Sequence, residues 1–186
     1  MGEYSFPPKP PKCEGCPARG WGVGFVPGVV PTGPRDTLLL FLGQGPGRQE
    51  AERSTPFMEW APSGGMLTRW LHKCGLPRNQ VAIGNIVQCW LPLYPPEARG
   101  RIPIEKWGNR EPTRPEQESC WARHVKPWVD SLGEVTHTIA VGLSAGKFLA
   151  GKPPDAGFER YVGTTLEINL PPAKEITDGE VRQTAP

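Results

Sequence analysis

Residues 37–42, Thr-Leu-Leu-Leu-Phe-Leu, form an apolar run with no polar face, and the run ends at Gly43. A strand that faces water on one side alternates apolar and polar residues, whereas a strand covered on both faces reads as continuous apolar sequence. The run is far short of the roughly 20 residues a membrane helix needs. It therefore predicts a strand in the middle of a covered sheet. Residues 81–87, with Asn85 inside, and Thr138–Gly142 read the same way. Helices are predicted between and after them. One spans Ser63–Cys74 and is stopped by Gly75 and Pro77. One spans Pro115–Leu132, with Glu116 and Glu118 near its positive end. A short one spans Ser144–Ala150. Strands alternating with helices predict a three-layer α/β/α sandwich with a central, largely parallel sheet. The expectation is one domain over residues 1–186. Within it, 1–35 is an extended Pro- and Gly-rich arm and 90–115 a Pro- and Arg-rich insertion without regular structure.

Gly and Pro make up 47 of 186 residues, close to the range of low-complexity chains. Seven Trp and the apolar runs point instead to a loop-rich globular fold. The N-terminus, Met-Gly-Glu-Tyr-Ser-Phe-Pro-Pro, lacks the basic and then apolar pattern of a secretory signal, so a cytoplasmic protein without a membrane segment is expected. The net charge of +2 is too balanced to argue for or against nucleic acid, and only a local patch could do so.

Five cysteines, Cys13, Cys16, Cys74, Cys89 and Cys120, are an odd number and disfavour a disulfide framework. Cys13-Glu-Gly-Cys16 is a C-x2-C pair, which can place two thiolates on one metal. Pro17 follows it, as in loops around iron–sulfur clusters. The gaps to Cys89 and Cys120, 72 and 30 residues, fit no compact zinc finger. Four thiolates meet only if the arm folds back across the chain, and softness alone does not separate zinc from iron–sulfur there. Cys74 reads as a packing residue at a helix end.

After the first strand comes Gly43-Gln44-Gly45-Pro46-Gly47. It lacks the Gly-Lys-Ser/Thr of a phosphate-binding loop and the spacing of a dinucleotide fingerprint. Ligands in such folds sit at the carboxyl ends of strands, so this loop and Asn85 are candidates for one pocket. Glycines there allow close backbone approach to a ligand.

The loop, the thiols and several later segments together resemble the family-4 uracil-DNA glycosylases. That family has Gly-Glu-(Ala/Gly)-Pro-Gly, then acidic residues, then Pro-Phe, then Gly and a Leu-rich helix. Phe57 is the fifteenth residue from Gly43, as in the family, and Glu50 falls where the family is acidic. Gly84-Asn85-Ile86-Val87-Gln88-Cys89 resembles its Thr-Asn-Val-Val-Lys-Cys strand. Glu111-Pro112-Thr113-Arg114-Pro115 resembles its lead into the fourth cysteine, and Ala140–Ala145 its last strand and helix start. The resemblance covers residues 13–168.

The resemblance implies a [4Fe–4S] cluster, with zinc the lesser alternative, on Cys13, Cys16, Cys89 and Cys120. The cluster would pin the arm and the insertion to the sheet. It implies that Phe57 stacks on a base flipped out of DNA, that Asn85 pairs with the base edge, and that Gly43, Gln44 and Gly45 face the sugar and the attacking water. The activity implied is hydrolysis of the N-glycosidic bond of uracil, or another deaminated base, in base excision repair, by a monomer. Phosphate contacts are expected from Arg99, Arg101, Lys106, Arg110 and Arg114, interleaved with Trp90 and Trp107.

Two positions depart from the family. Gln44 stands where the family has Glu; a neutral amide orients water but is no carboxylate base. The family's later His-Pro-Ser/Ala motif, whose His donates to uracil O2, has no counterpart, since His72, His124 and His137 all lie upstream of its place. The sequence stops at Pro186, near where that motif would begin. The expectation is a chain truncated there or lacking that part of the site. A catalytically impaired DNA- or base-binding protein on the same scaffold, and a zinc protein of structural role, are the alternative readings.

Overall fold

The three apolar runs lie side by side in one parallel sheet. The computed structural model describes residues 5–36, 38–152 and 157. Strand β1 is Leu39–Gly43, β2 is Ala82–Asn85 and β3 is His137–Val141. Their order is β2-β1-β3, with Gly43 opposite Asn85 on one side and Val141 on the other. Between them run α1 (Arg48–Arg53), α2 (Pro62–Lys73), α3 (Pro96–Arg99), α4 (Arg114–Cys120) and α5 (Lys126–Ser131), and α6 (Leu143–Leu149) follows β3.

Successive side chains of a strand point to opposite faces, and here each face has its own cover. Leu40, Leu42 and Ala82 pack against Trp121, Val125 and Val129 of the α4–α5 rod and against Ala145, Phe148 and Leu149 of α6. Leu39, Phe41 and Ile83 face the other way, onto Leu67 and Leu71 of α2 and onto Phe57. Leu67 and Leu71 are buried one helical turn apart, and each contributes about 1.5–3 kcal/mol. The layers are therefore α2, sheet, and α4–α6. This is the predicted α/β sandwich, but the third apolar run is not covered on both faces as expected: β3, beside β1 at the end of the β2-β1-β3 order, is half-buried to exposed among the described residues.

Thr113 opens α4 with a capping box. Its N–H donates to the Glu116 carboxylate at 2.8 Å, and the same carboxylate pairs with Arg110 at 2.5 Å. The rod passes through one π turn, Trp121–Val125, just before Pro127. Proline has no N–H to give and its ring crowds the carbonyl four residues back, so the ladder slips there. Cys120 sits at that junction.

The N-terminal arm is more ordered than its composition suggests. It runs antiparallel to the β2 segment through bridges Val29–Ile83 and Val23–Trp90, with the Val26 N–H on the Gln88 carbonyl at 2.7 Å. The insertion also holds regular pieces: α3 and a 3-10 turn, Ile104–Lys106. Trp90 is buried and stacks on Trp107 at 5.6 Å, and its indole N–H donates to Asn109 Oδ1 at 2.5 Å. Among the described residues no helix is long and apolar enough to cross a membrane. The expectation about the chain's C-terminal end falls outside the described residues.

Candidate active site

Parallel register brings Gly43 and Asn85 together at the carboxyl ends of β1 and β2. Both positions share the parity of Leu39, Phe41 and Ile83, so they look toward the Phe57 side of the sheet. A Cβ on Gly43 would lie 2.5 Å from Asn85 Oδ1 and 2.5 Å from Phe57 Cζ. The Phe57 ring and the Asn85 amide thus meet over a backbone that has no side chain. Gly64, near the start of α2, permits a second close approach, because a Cβ there would lie 2.3 Å from the Phe57 carbonyl oxygen.

Asn85 is 2 % exposed, and its Nδ2 is buried without a hydrogen-bond partner in the structure. A buried donor left unpaired costs about 1–3 kcal/mol, a cost that a ligand accepting from it removes. Phe57 is 5 % exposed and has a left-handed backbone, φ 50°. Its N–H donates to Glu50 Oε1, and the Gly47 N–H donates to Glu50 Oε2 at 2.6 Å. Burial raises the Glu50 carboxyl above the usual carboxylate range; the N–H groups of Gly47, Phe57 and Met58, and then Arg78, pull the other way. The Gly43–Gly47 loop continues the pairing, with the Ile86 N–H on the Gly43 carbonyl at 2.9 Å and the Val87 N–H on the Gln44 carbonyl at 3.1 Å. Gln44 is half-buried and Gly45 exposed.

The thiols converge elsewhere, where the arm crosses the rod. Cys13, Cys89 and Cys120 are buried, and Cys16 is half-buried against the same core. Burial, then the neighbouring Cys16, pushes the Cys13 thiol up, against Lys9, Arg19 and Arg123. Burial pushes Cys89 up to about 12, with Lys9 opposing and Cys16 and Cys13 adding to the rise. Cys120 is raised by burial and by the other three thiols, against the Gln88 N–H that points at its sulfur from 3.2 Å. Cys13 Sγ lies 3.3 Å from His124 Nε2. A Cβ on Gly22 would lie 2.5 Å from Cys89 Sγ and 3.2 Å from Lys9 Nζ, so the ammonium stands beside the thiols.

Among the described residues no three His, Cys, Asp or Glu side chains are gathered to hold a metal ion. A tetrahedral zinc site needs sulfurs roughly 3.8 Å apart. Cys89 and Cys120 nevertheless share one buried core, with half-buried Cys16 packed against it. The soft donors, the N–H aimed at sulfur and the nearby ammonium fit an iron–sulfur cluster.

Two expectations need correction. Cys74 is exposed, because it caps α2 beyond the Leu67–Leu71 stripe, beside Gly75 at φ 68°. Three of the five insertion cations are occupied within the fold. Arg99 donates to the Tyr94 and Trp21 carbonyls, Arg110 grips Glu116 with two hydrogen bonds and covers Trp21, and Arg114 pairs with Glu118 over Phe148. Arg101 and Lys106 remain exposed. Sequence reasoning also passed over Arg78, which binds the Phe57 carbonyl, and Lys9. Nothing in their local sequence distinguishes them from surface cations.

A model of the Uracil DNA glycosylase superfamily matches residues 30–179, and the chain belongs to that superfamily. The curated relatives the chain resembles there are type-4 uracil-DNA glycosylases. It is 35 % identical over 109 residues to a type-4 uracil-DNA glycosylase of Thermotoga maritima, covering 59 % of this chain and 46 % of that one. The Archaeoglobus fulgidus type-4 protein is 30 % identical over 133 residues, 68 % of this chain and 62 % of the other. The Pyrobaculum aerophilum one is 32 % identical over 139 residues, 74 % and 59 %. The chain thus spans about half to three fifths of the length of these relatives.

Proposed function

We propose that this chain binds a uracil base flipped out of DNA and hydrolyses its N-glycosidic bond. One observation carries the reading: the unpaired Asn85 Nδ2 donor is buried beside the Phe57 ring, over Gly43. A buried donor of this kind suits a carbonyl oxygen of the base edge, and the amide oxygen suits the ring N–H. Phe57 supplies an apolar surface for the base plane. Flipping costs a few kcal/mol, which the pocket returns through these contacts. Gly43 and Gly45 let the sugar approach the backbone, and Gln44 orients the attacking water, which adds to the sugar carbon as the base departs with the bond's electron pair.

Cys13, Cys16, Cys89 and Cys120 would hold a [4Fe–4S] cluster whose contribution is structural, cross-linking the arm, the strand-to-insertion junction and the α4 rod. DNA is the partner of this reading, with Arg101 and Lys106 as phosphate contacts, and a single-domain cytoplasmic monomer is the form it assumes. A second reading, a DNA-binding protein that does not cut, is favoured by Gln44, which carries no charge to stabilise a developing oxocarbenium ion.

Anaerobically purified protein incubated with a labelled uracil-containing oligonucleotide, then treated with alkali, separates the two. Strand scission dependent on uracil supports the hydrolase. Folded, brown protein that shifts the oligonucleotide without scission supports the binder. A colourless protein with stoichiometric zinc overturns the cluster assignment.

A further inference from the structure

Among the described residues only Ser54 and Phe57 combine a side chain with positive φ. Ser54 terminates α1, a common place for a left-handed residue. Phe57 has no such excuse, since a bulky aromatic there is strained and persists only where its surroundings impose the conformation. Two ionic groups impose it. Glu50, 6 % exposed, gives one oxygen to the Gly47 N–H, which is all a helix cap requires. It gives the other to the Phe57 N–H. On the far side of the same residue, the Arg78 guanidinium binds the Phe57 carbonyl, and the Pro56 carbonyl at 3.2 Å. Arg78 is itself anchored by Thr68 Oγ1 of α2 at 3.1 Å and lies 3.9 Å from Glu59. An acid and a base thus hold the two ends of one strained residue.

We propose that Glu50 and Arg78 are positioning residues that fix Phe57 in its left-handed conformation and so keep its ring against Gly43 and Asn85. The proposal rests on the reading of Phe57 as the surface that receives the base. Were Phe57 to relax to negative φ, the direction of its Cα–Cβ bond would change and the ring would leave Gly43. Neither Glu50 nor Arg78 needs to touch the base for this. Their work is done on the main chain, so sequence position alone gives Arg78 no visible role.

The test uses Glu50→Gln, which keeps the volume but offers one acceptor oxygen in place of two, and Arg78→Met, which keeps the apolar stem. Each is made alone and in a Phe57→Ala background, and steady-state uracil release is measured on each folded protein. A stacking surface that serves substrate and transition state alike appears in KM. The expected result is a KM raised about tenfold with kcat within about twofold, and loss of that effect once Phe57 is Ala. An equal loss in both backgrounds overturns the proposal, as does an unchanged KM in both variants. Should the unaltered protein release no uracil, the hydrolase reading fails separately. A crystal structure of either variant then decides the present point: Phe57 leaving positive φ supports it, and Phe57 unmoved overturns it.

Discussion

Replacing Gly43 by Ala tests whether the site is built as described. The new Cβ would stand 2.5 Å from both Asn85 Oδ1 and Phe57 Cζ, and 2.9 Å from Phe57 Cε2. Ordinary contact begins near 3.4 Å, so the amide and the ring must each retreat by about 1 Å. Asn85 is held by its rung in the parallel register and Phe57 by Glu50 and Arg78, so neither retreats without disturbing its neighbours. Overpacking of this kind costs about 1–3 kcal/mol of stability. A misplacement of about 1 Å at a reacting site costs on the order of 100-fold in rate. Urea unfolding and single-turnover uracil release measure the two effects. Gly45→Ala is the stability control: its Cβ would meet nothing nearer than the Val87 carbonyl oxygen at 3.7 Å, so unfolding should shift by less than about 0.5 kcal/mol. A Gly43→Ala protein as stable as Gly45→Ala and undiminished in uracil release would refute the geometry.

The sequence carried the layered fold and the convergence on Gly43. Continuous apolar sequence reported burial for β1 and β2 but not for β3, which is half-buried to exposed, and a parallel sheet places strand ends side by side, so Gly43 and Asn85 become neighbours from topology alone. The second helix follows from its stops: α2 ends at Lys73, within a residue of the expected boundary and just ahead of Gly75 and Pro77. What stayed hidden rests on long-range pairing. Val23, Val26 and Val29 find their partners 67, 62 and 54 residues away, and a Pro- and Gly-rich arm shows no alternation to announce it. The insertion's arginines looked like phosphate ligands because guanidinium groups serve carbonyls, carboxylates and indole rings equally well. Cys74 looked internal because helical periodicity says nothing of where the last turn leaves the core.

Three further outcomes follow from the electrostatics and the thiols. Glu116 titrates below the usual carboxylate range: burial alone would raise it, but the Arg110 hydrogen bonds and the Thr113 N–H prevail. A depressed folded-state value means stability present above the unfolded value, near 4.5, and lost as pH falls through the folded one. Urea midpoints between pH 6 and pH 3 should therefore fall less steeply for Glu116→Gln, and parallel curves would contradict the assignment. In cluster-loaded protein, iodoacetamide should label one thiol quickly, and Cys74→Ser should abolish that labelling; modification of a buried cysteine first would be the contrary result. Cys16→Ser should lower iron content and increase hydrogen exchange at the Val23 and Val26 amides, which tie the arm to Trp90 and Gln88. Unaltered protection with iron gone would show that the arm needs no cross-link.

The most direct measurement compares uracil release, under single-turnover conditions, by the unaltered protein, Phe57→Ala and Asn85→Leu. Asn85→Leu removes a donor that pays a desolvation cost in the free protein, so it should fold at least as stably while losing uracil release by about tenfold or more. Phe57→Ala should lose a similar factor when the protein is kept below saturation, where release follows kcat/KM. Both variants folded and slow, beside an unaltered protein that releases uracil, is the result expected of a base pocket made by Gly43, Phe57 and Asn85. Release that survives both substitutions would place the base elsewhere and contradict the account.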